Sequence, residues 1–449
     1  MMSFYEWRKW VASKPWELRW FPLLVLIRPV VDNLYSLKNI SPFISPPYIV
    51  GVLSPFLAIY AFIRIRETPG SSLDRIFKVW SLLVFLSTFC YLLFDPLKLT
   101  TIEFILKLTM PVYLYYFLRR MIRNKKDLHG ILQAYVYSAI FVGALLLYEV
   151  LISPIRIEHS RGLERIQGNF ADVTNYGFYI NLTFLILAYF YFAKPLRNNS
   201  FKTLWPLGTA VLMSILCLSK INHVASLGVF LGMVSLFFLY NLKSNRTGLL
   251  VFFLIGATVA VVTYSEQIVN AIEPLIGTDL AVYKGEKESE RLLHGRVGRW
   301  KYMFEEFSNL PIFSQVLGMP TSFENSYSYV SSGTHNDFMR ILFFTGYVGF
   351  ITFMGFLWTI YRQTRFMGLP QKFLVMGALT IFGMYAVSVN PTIYAPLLYI
   401  LLSIFAYVAL PQSKKYRSEV QPIASKPVLD ALAKSTRLGD KEKLPPQTT

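Results

Sequence analysis

The chain has 449 residues, of which 54% are hydrophobic and only 16% are charged. Soluble proteins carry about a quarter charged residues, so this composition excludes an ordinary soluble domain and favours a polytopic membrane protein. The net charge of +18 is interpreted as the basic excess that cytoplasmic loops of membrane proteins carry. No nucleic-acid partner is therefore expected.

Apolar blocks close to the length of a membrane span follow one another along the chain. A transmembrane β-barrel would instead show alternating segments of about ten residues. The pattern predicts an all-α, polytopic transmembrane bundle of about twelve spans, at 16–35, 46–63, 76–94, 103–118, 130–151, 173–193, 203–219, 222–240, 248–265, 335–360, 373–389 and 392–410.

These spans divide the chain into four regions. Residues 1–265 hold spans one to nine with short loops, and 266–334 form one large loop. Residues 335–410 hold the last three spans, and 411–449 are predicted to be a disordered tail because they are polar and rich in Pro and Lys.

The distribution of basic residues orients the predicted bundle. Of the 44 Lys and Arg residues, 29 fall in segments on the side that carries both termini. The positive-inside rule therefore predicts that both termini are cytoplasmic. The first span is the weakest, because 16–35 contains Arg19, Arg28, Asp32 and two prolines. The aromatic residues around it are interpreted as an interfacial belt, namely Trp7, Trp10, Trp16 and Trp20.

Two loops on the predicted outer face are polar enough to build a site. They are 152–172 and 266–334, and long loops in compact proteins tend to be functional or disordered. Helical patterning at 296–307 indicates that the larger loop is partly helical, and we expect it to form a small lid on the outer face.

Thr334-His335-Asn336-Asp337 directly precedes the tenth span. Thr334 and Asp337 resemble a capping box, which predicts that His335 is the first helical residue. The positive end of the helix dipole would keep the imidazole neutral and able to accept a proton, and the free N–H groups there favour an anion. A histidine that merely binds water at the interface is the plain alternative.

Arginines in the two outer loops are candidate phosphate ligands, because guanidinium binds phosphate through paired hydrogen bonds. They are Arg291, Arg296 and Arg299 in the large loop and Arg156, Arg161 and Arg165 in the smaller one. Ion pairs with neighbouring glutamates are the plain alternative for all of them.

Basic residues near the spans add two more candidates, Lys220 and Arg340, since ionisable groups at membrane depth often face a cavity. Either side chain could instead extend to the interface. Glu103 and Lys107 are four residues apart and are expected to pair with each other. Nucleotide-binding and zinc-protease motifs are absent from the sequence, so we expect neither a cofactor nor a metal.

Several short patterns, in order, resemble the O-antigen ligase and polymerase superfamily of bacterial envelopes. Together they extend over about residues 160–360 and comprise Arg165-Ile-Gln-Gly168 with Asn175, Gly295-Arg296 with Trp300, Leu310-Pro311 through Leu317-Gly318, and His335-Asn336 followed by Gly346-Tyr-Val-Gly349. The chain departs from the family at 218–223, where Lys220 stands in place of the usual Ser-Arg element.

The resemblance implies a fold similar to C-type glycosyltransferases and a metal-independent, inverting reaction at the bacterial inner membrane. An acceptor hydroxyl would attack the anomeric carbon of an undecaprenyl-pyrophosphate-linked glycan on the periplasmic face. It implies catalytic roles for His335, as the base, and for Arg296, at the leaving diphosphate. It further implies contacts with the pyrophosphate or glycan for Arg165, Arg299, Lys220, Asn336, Arg161 and Arg340.

The resemblance leaves the acceptor open. A polymerase of O-antigen or exopolysaccharide, which extends another lipid-linked glycan, is favoured. An O-antigen ligase, which transfers the glycan to a lipid A-core acceptor, is the alternative, and a transporter or flippase of lipid-linked sugar is a third. Membrane lipids, a chain-length regulator and a flippase are the further partners that it implies.

Overall fold

The computed structural model describes residues 2–41, 44–66, 70–94, 99–160, 163–193, 208–213, 220–221, 223–243, 277–319 and 336–411. Its helices are α1 (Phe4–Ala12), α2 (Trp16–Asn33), α3 (Pro46–Arg64), α4 (Ser72–Phe94), α5 (Leu99–Met121), α6 (Lys125–Leu151), α7 (Thr174–Phe192), α8 (Val224–Lys243), α9 (Leu292–Ser308), α10 (Ile312–Leu317), α11 (Asp337–Gln363), α12 (Leu369–Ser388) and α13 (Ala395–Val408). Strands β1 (Ile157–Ser160) and β2 (Leu163–Ile166) pair antiparallel between α6 and α7.

Six helices in the described part of the chain are long and apolar enough to cross a membrane. They are α3, α4, α6, α8, α12 and α11 with the turn that continues it to Phe366. The chain is therefore a membrane protein, as its composition predicts. Helices α2, α5 and α7 fill three more predicted spans but are less apolar or more charged, and α13 is short. The predicted span 248–265 and most of 203–219 lie outside the described residues.

The core surrounds α7 and α13. Every residue of α13 is buried, and Thr183 is the one residue of α7 that is not. Helices that are apolar on all sides pack inside a bundle, and these two contact each other as well as α6 and α12. By contrast, α3 and α4 expose large apolar side chains such as Phe56, Leu82 and Phe89, the surface that a spanning helix presents to lipid.

The bundle has two ends. The hairpin end carries β1 and β2 and the starts of α3, α5, α7, α11 and α13; the α1 end carries α1 and the far ends of those helices. Helix α2 runs between them. Trp16 lies 5.3 Å from Tyr60 near the end of α3, while the Asn33 Oδ1 accepts a hydrogen bond of 3.1 Å from the Asn169 N–H beside the hairpin.

The predicted interfacial belt is wrong for two of its four members. Trp7 and Trp10 are only 2% and 3% exposed. The Trp7 Nε1 donates to the Gly130 carbonyl at 2.9 Å, and the Trp10 Nε1 donates to the Asp127 Oδ1 at 3.3 Å. Lys14 pairs with the same carboxylate. These bonds satisfy the indole donors inside the protein, so α1 turns both rings towards α6.

Candidate functional site

A cavity of about 380 Å³ lies at the hairpin end of the bundle. Its walls come from the end of α2, the first halves of α3 and α5, the residues before α7 and the start of α13. Small-molecule sites commonly fall in this size range. The cavity is lined by two basic residues, three acidic residues and five tyrosines: Arg28, Lys107, Asp32, Glu103, Asp172, Tyr35, Tyr48, Tyr113, Tyr394 and Tyr399.

Most of the charges in this cavity are paired within the protein. The Arg28 Nη2 lies 2.8 Å from the Asp32 Oδ1, and the predicted pair of Glu103 with Lys107 is confirmed. Asp172 accepts a 2.7 Å hydrogen bond from the Thr174 N–H at the start of α7. Among the described lining residues, two cations and three carboxylates leave one excess negative charge, so the cavity suits a neutral, hydroxyl-rich ligand better than a diphosphate.

A buried cluster fixes the start of α11 beside this cavity. The Asp337 side chain is fully buried and accepts hydrogen bonds from the Arg340 Nε at 2.8 Å, the Thr392 N–H at 2.8 Å and the Thr392 hydroxyl at 2.6 Å. Arg340 also donates to that hydroxyl. Thr392 belongs to the 3-10 turn Pro391–Ile393, whose next residues line the cavity. The cluster therefore holds the turn that shapes one cavity wall.

The predicted start of this helix is wrong by two residues. Helix α11 begins at Asp337, and its N-cap is Asn336, whose Oδ1 accepts hydrogen bonds from the Phe338 and Met339 N–H groups at 3.0 and 3.1 Å. The Asp337 carboxylate accepts hydrogen bonds from Arg340 and Thr392, and the helix is capped by Asn336. Thr334 and His335 lie outside the described residues, so the role of His335 stays a prediction.

Two segments that carry the family resemblance meet at a pair of glycines. Gly318 follows α10 with φ of 70°, and Gly346 breaks α11 with φ of 63°. A Cβ at Gly318 would lie 2.4 Å from the Gly346 nitrogen, and one at Gly346 would lie 2.3 Å from the Val316 carbonyl oxygen. Glycine is needed at both positions, because each combines positive φ with backbone contact. The crossing fixes the large loop on α11.

Helix α9 carries two of the predicted loop arginines. It contains the predicted helical stretch 296–307. Arg296 is half-buried and Arg299 is exposed. The ring of Phe307 lies 5.1 Å from that of Phe343, which packs the end of α9 against α11. Helix α9, which carries the two loop arginines, therefore packs against α11 through its C-terminal end.

An ion pair fixes the start of the same helix. The Lys301 Nζ donates to the Glu290 Oε1 at 2.8 Å. This hydrogen bond holds the pKa of the Glu290 carboxyl below its ordinary value and raises the pKa of Lys301. Glu290, a glutamate close in sequence to the loop arginines, thus pairs with Lys301.

The other predicted site residues lie on separate elements. Arg165 is on β2, directly opposite Glu158 on β1. The pairing of these strands was not predicted for loop 152–172, although alternating apolar and polar residues are typical of a strand. Lys220 is exposed, and three residues later the His223 Nδ1 lies 2.8 Å from the Ser226 hydroxyl. Arg161 lies outside the described residues.

Among the predicted site residues, Asn336 and Arg340 lie together at the start of α11, and Arg296 and Arg299 lie together on α9. The predicted site residues did not include those that line the cavity on α2 and α13. Arg28 and Asp32 gave a usable signal, because an acid and a base four residues apart in an apolar helix form a pair that often marks a cavity. The tyrosines gave none, since tyrosine is common throughout the spans.

Comparison with the models of known protein families finds none that matches this chain, and comparison with curated proteins likewise finds no match. A function for the hairpin end therefore rests on its residues and on their geometry.

Proposed function

We propose that this chain is a membrane glycosyltransferase that polymerises undecaprenyl-pyrophosphate-linked repeat units of O-antigen or exopolysaccharide. The observation that carries the proposal is the polar cavity at the hairpin end. It adjoins the start of α11 through Thr392, and farther along the same helix two segments that resemble the O-antigen ligase and polymerase superfamily cross at Gly318 and Gly346. In the orientation predicted from basic residues, this end faces the periplasm of a bacterial inner membrane.

The two parts of the substrate, the glycan and the diphosphate, are assigned to different regions according to their charge. The cavity has one excess negative charge and many hydroxyl and carboxylate groups, so it would bind the hydroxyls of the glycan. The diphosphate requires the opposite charge. Arg296 and Arg299 on α9 can supply it, as can Arg165 on β2.

The reaction is a single displacement. The acceptor hydroxyl oxygen forms a bond to the anomeric carbon of the donor while the bond from that carbon to the diphosphate oxygen breaks. The hydroxyl proton passes to His335, and undecaprenyl pyrophosphate leaves with the bonding electrons. Arginine donors stabilise the negative charge that develops on the leaving oxygens. Attack opposite the leaving group inverts the anomeric centre.

The acceptor can be identified with purified protein in detergent or nanodiscs. We expect undecaprenyl-pyrophosphate oligosaccharide alone to yield a ladder of longer lipid-linked glycans. Transfer only after lipid A core is added would assign a ligase instead. Inactivity towards both acceptors, by protein that is folded, would contradict a glycosyltransferase.

One observation favours a second candidate, a transporter of lipid-linked sugar. Helix α11 is interrupted at Gly346, where φ is 63° and ψ is −172°, and interrupted helices often form the substrate sites of transporters. Proteoliposomes that hold a fluorescent lipid-linked sugar separate the two. Translocation without formation of a glycosidic bond supports the transporter, whereas glycan extension without translocation supports the polymerase.

A further inference from the structure

A second cavity, of about 560 Å³, lies at the α1 end of the bundle. It is bounded by the start of α4, the end of α11 with the turn after it, and the two residues that follow Ala409. Two of the helices that form it are among the six that can cross a membrane. The cavity therefore lies where spanning helices end, at the depth of lipid headgroups.

The charged residues that line this cavity, among those the structure describes, are both positive. They are Arg362 and Arg365, and no described Asp or Glu lines the cavity. Both arginines are exposed, and neither side chain has a hydrogen bond or an ion pair with another residue in the described parts of the chain. Within those parts, no partner in the protein explains the position of the two guanidinium groups.

The nearest acid on α4 is already neutralised. The Asp74 carboxylate accepts hydrogen bonds from the Arg119 Nε at 2.8 Å and the Arg119 Nη2 at 2.9 Å, and Arg119 is fully buried. Asp74 also accepts from the Tyr115 hydroxyl at 2.8 Å. With these bonds formed, Asp74 is not available to the two exposed arginines, and the described residues that line the cavity contribute a charge of +2.

The rim of the cavity is aromatic and exposed. Trp358 and Phe366 are 57% and 56% exposed, and aromatic side chains at the ends of spanning helices lie at the level of the headgroups. Ser72, at the start of α4, adds a hydroxyl donor. Basic cavities between spanning helices bind anionic headgroups. A phosphodiester with acyl chains along the apolar rim fits this combination.

We propose that the cavity at the α1 end binds the phosphodiester headgroup of an anionic membrane phospholipid. Arg362 and Arg365 bind the phosphate oxygens, and Trp358 and Phe366 contact the adjoining acyl chains. This site lies at the opposite end of the bundle from the polar cavity and does not depend on the proposed glycosyltransferase activity.

Titration of phosphatidylglycerol into purified protein in phosphatidylcholine nanodiscs tests the proposal, with native mass spectrometry and thermal unfolding as readouts. Wild-type protein should bind the anionic lipid and unfold at a higher temperature. The double variant Arg362→Gln/Arg365→Gln should bind about 25-fold more weakly, from the loss of two surface cations. Arg75→Gln/Lys78→Gln removes two exposed charges at the same end outside the cavity and should bind as wild type does.

Three results would overturn the proposal. They are the absence of binding by wild-type protein, an equal loss in both double variants, and release of the lipid by inorganic phosphate at millimolar concentration. The second would indicate diffuse attraction, and the third a site for soluble phosphate. Arg362→Lys/Arg365→Lys guards against a folding defect, because it should retain most of the binding and the wild-type unfolding temperature in phosphatidylcholine.

Discussion

Single side chains at the hairpin end fall into two groups. Arg28 and Asp32 form a largely buried pair, so removal of either would disturb the fold as well as any ligand, and Lys107 is already paired with Glu103. Tyr394 differs, because its hydroxyl has no hydrogen-bond partner in the described part of the chain, while its ring packs 5.0 Å from Phe178. The Tyr394 hydroxyl is therefore the cavity group that best separates substrate binding from stability.

Tyr394→Phe should raise the apparent KM for the lipid-linked glycan about 2- to 10-fold and leave the unfolding temperature unchanged. It removes one hydroxyl hydrogen bond, worth about 0.5–1.5 kcal/mol, and keeps the ring contact. Steady-state kinetics with a purified donor measures the change. Tyr283→Phe is the matched control, because Tyr283 is exposed and outside the cavity. Equal KM values for Tyr394→Phe and wild type would remove this hydroxyl from the site.

Arg296→Lys should lower kcat by about 10²-fold, because lysine keeps the charge but loses the paired hydrogen bonds to phosphate. Arg291→Lys, at an exposed position directly before α9, is the control and should retain wild-type activity. The same kinetic assay applies to both variants. A wild-type rate for Arg296→Lys would contradict a bidentate contact with the leaving group.

The local sequence predicted some of the side-chain contacts in this region but could not predict others. The i,i+4 pair of Glu103 and Lys107 was recognisable, because both partners lie on one turn of one helix. The cap at Asn336 was missed because Asp337 is engaged by Thr392, which is 55 residues away in the chain. Contacts of that range leave no trace in a window of a few residues.

At the level of structural elements, the crossing of α10 and α11 strongly restricts which residues can stand at the contact. Gly318 and Gly346 both have positive φ, and their backbones are too close for a side chain. The Gly318 carbonyl also accepts a 2.9 Å hydrogen bond from the Ser87 hydroxyl on α4. Three segments thus depend on one backbone geometry.

Gly346→Ala should lower the free energy of unfolding by about 2–5 kcal/mol, from the strain of positive φ together with steric overlap. Gly355→Ala is the matched control on the same helix, because a Cβ there meets no atom within 4 Å. Alanine is the better helix former, so this control should be neutral or slightly stabilising. Chemical unfolding in detergent compares the two variants. Equal stability for both would contradict the crossing.

Helices were easier to predict than strands in this chain. Long apolar blocks predicted α3, α4, α6, α11 and α12 to within a few residues of their starts or ends, because span length is a strong constraint. The hairpin at 157–166 was missed because each of its strands has only four residues. Alternation of apolar and polar residues over only four positions is a weak signal for a strand, and the charged residues of this segment suggested a loop.

For the molecule as a whole, the distribution of charge predicts an orientation in the membrane. Lys and Arg concentrate in the segments of the α1 end, so the positive-inside rule predicts that the hairpin end lies outside the cytoplasm. Single cysteines in a variant without Cys90 and Cys217 test this placement. An impermeant maleimide should label His159→Cys in spheroplasts, and Tyr5→Cys only after lysis, since both positions are exposed. The reverse pattern would contradict the orientation.

The fold class could be predicted from the sequence, whereas the residues of the site could be predicted only in part. Composition and span length are properties of the whole chain, and they predicted a helical membrane protein. The polar cavity is built from helices that lie far apart in sequence, such as α2 and α13. It could therefore be identified only once the packing of the bundle was known.

The central claim is that the hairpin end joins lipid-linked glycans with His335 as the base. The most direct test compares wild type, His335→Ala and His159→Ala in the purified polymerisation assay, where His159 is an exposed control on β1. A base contributes about 10²–10⁴-fold to rate. We predict a glycan ladder from wild type and His159→Ala and at least about 10²-fold less product from His335→Ala; a wild-type ladder from His335→Ala would contradict the account.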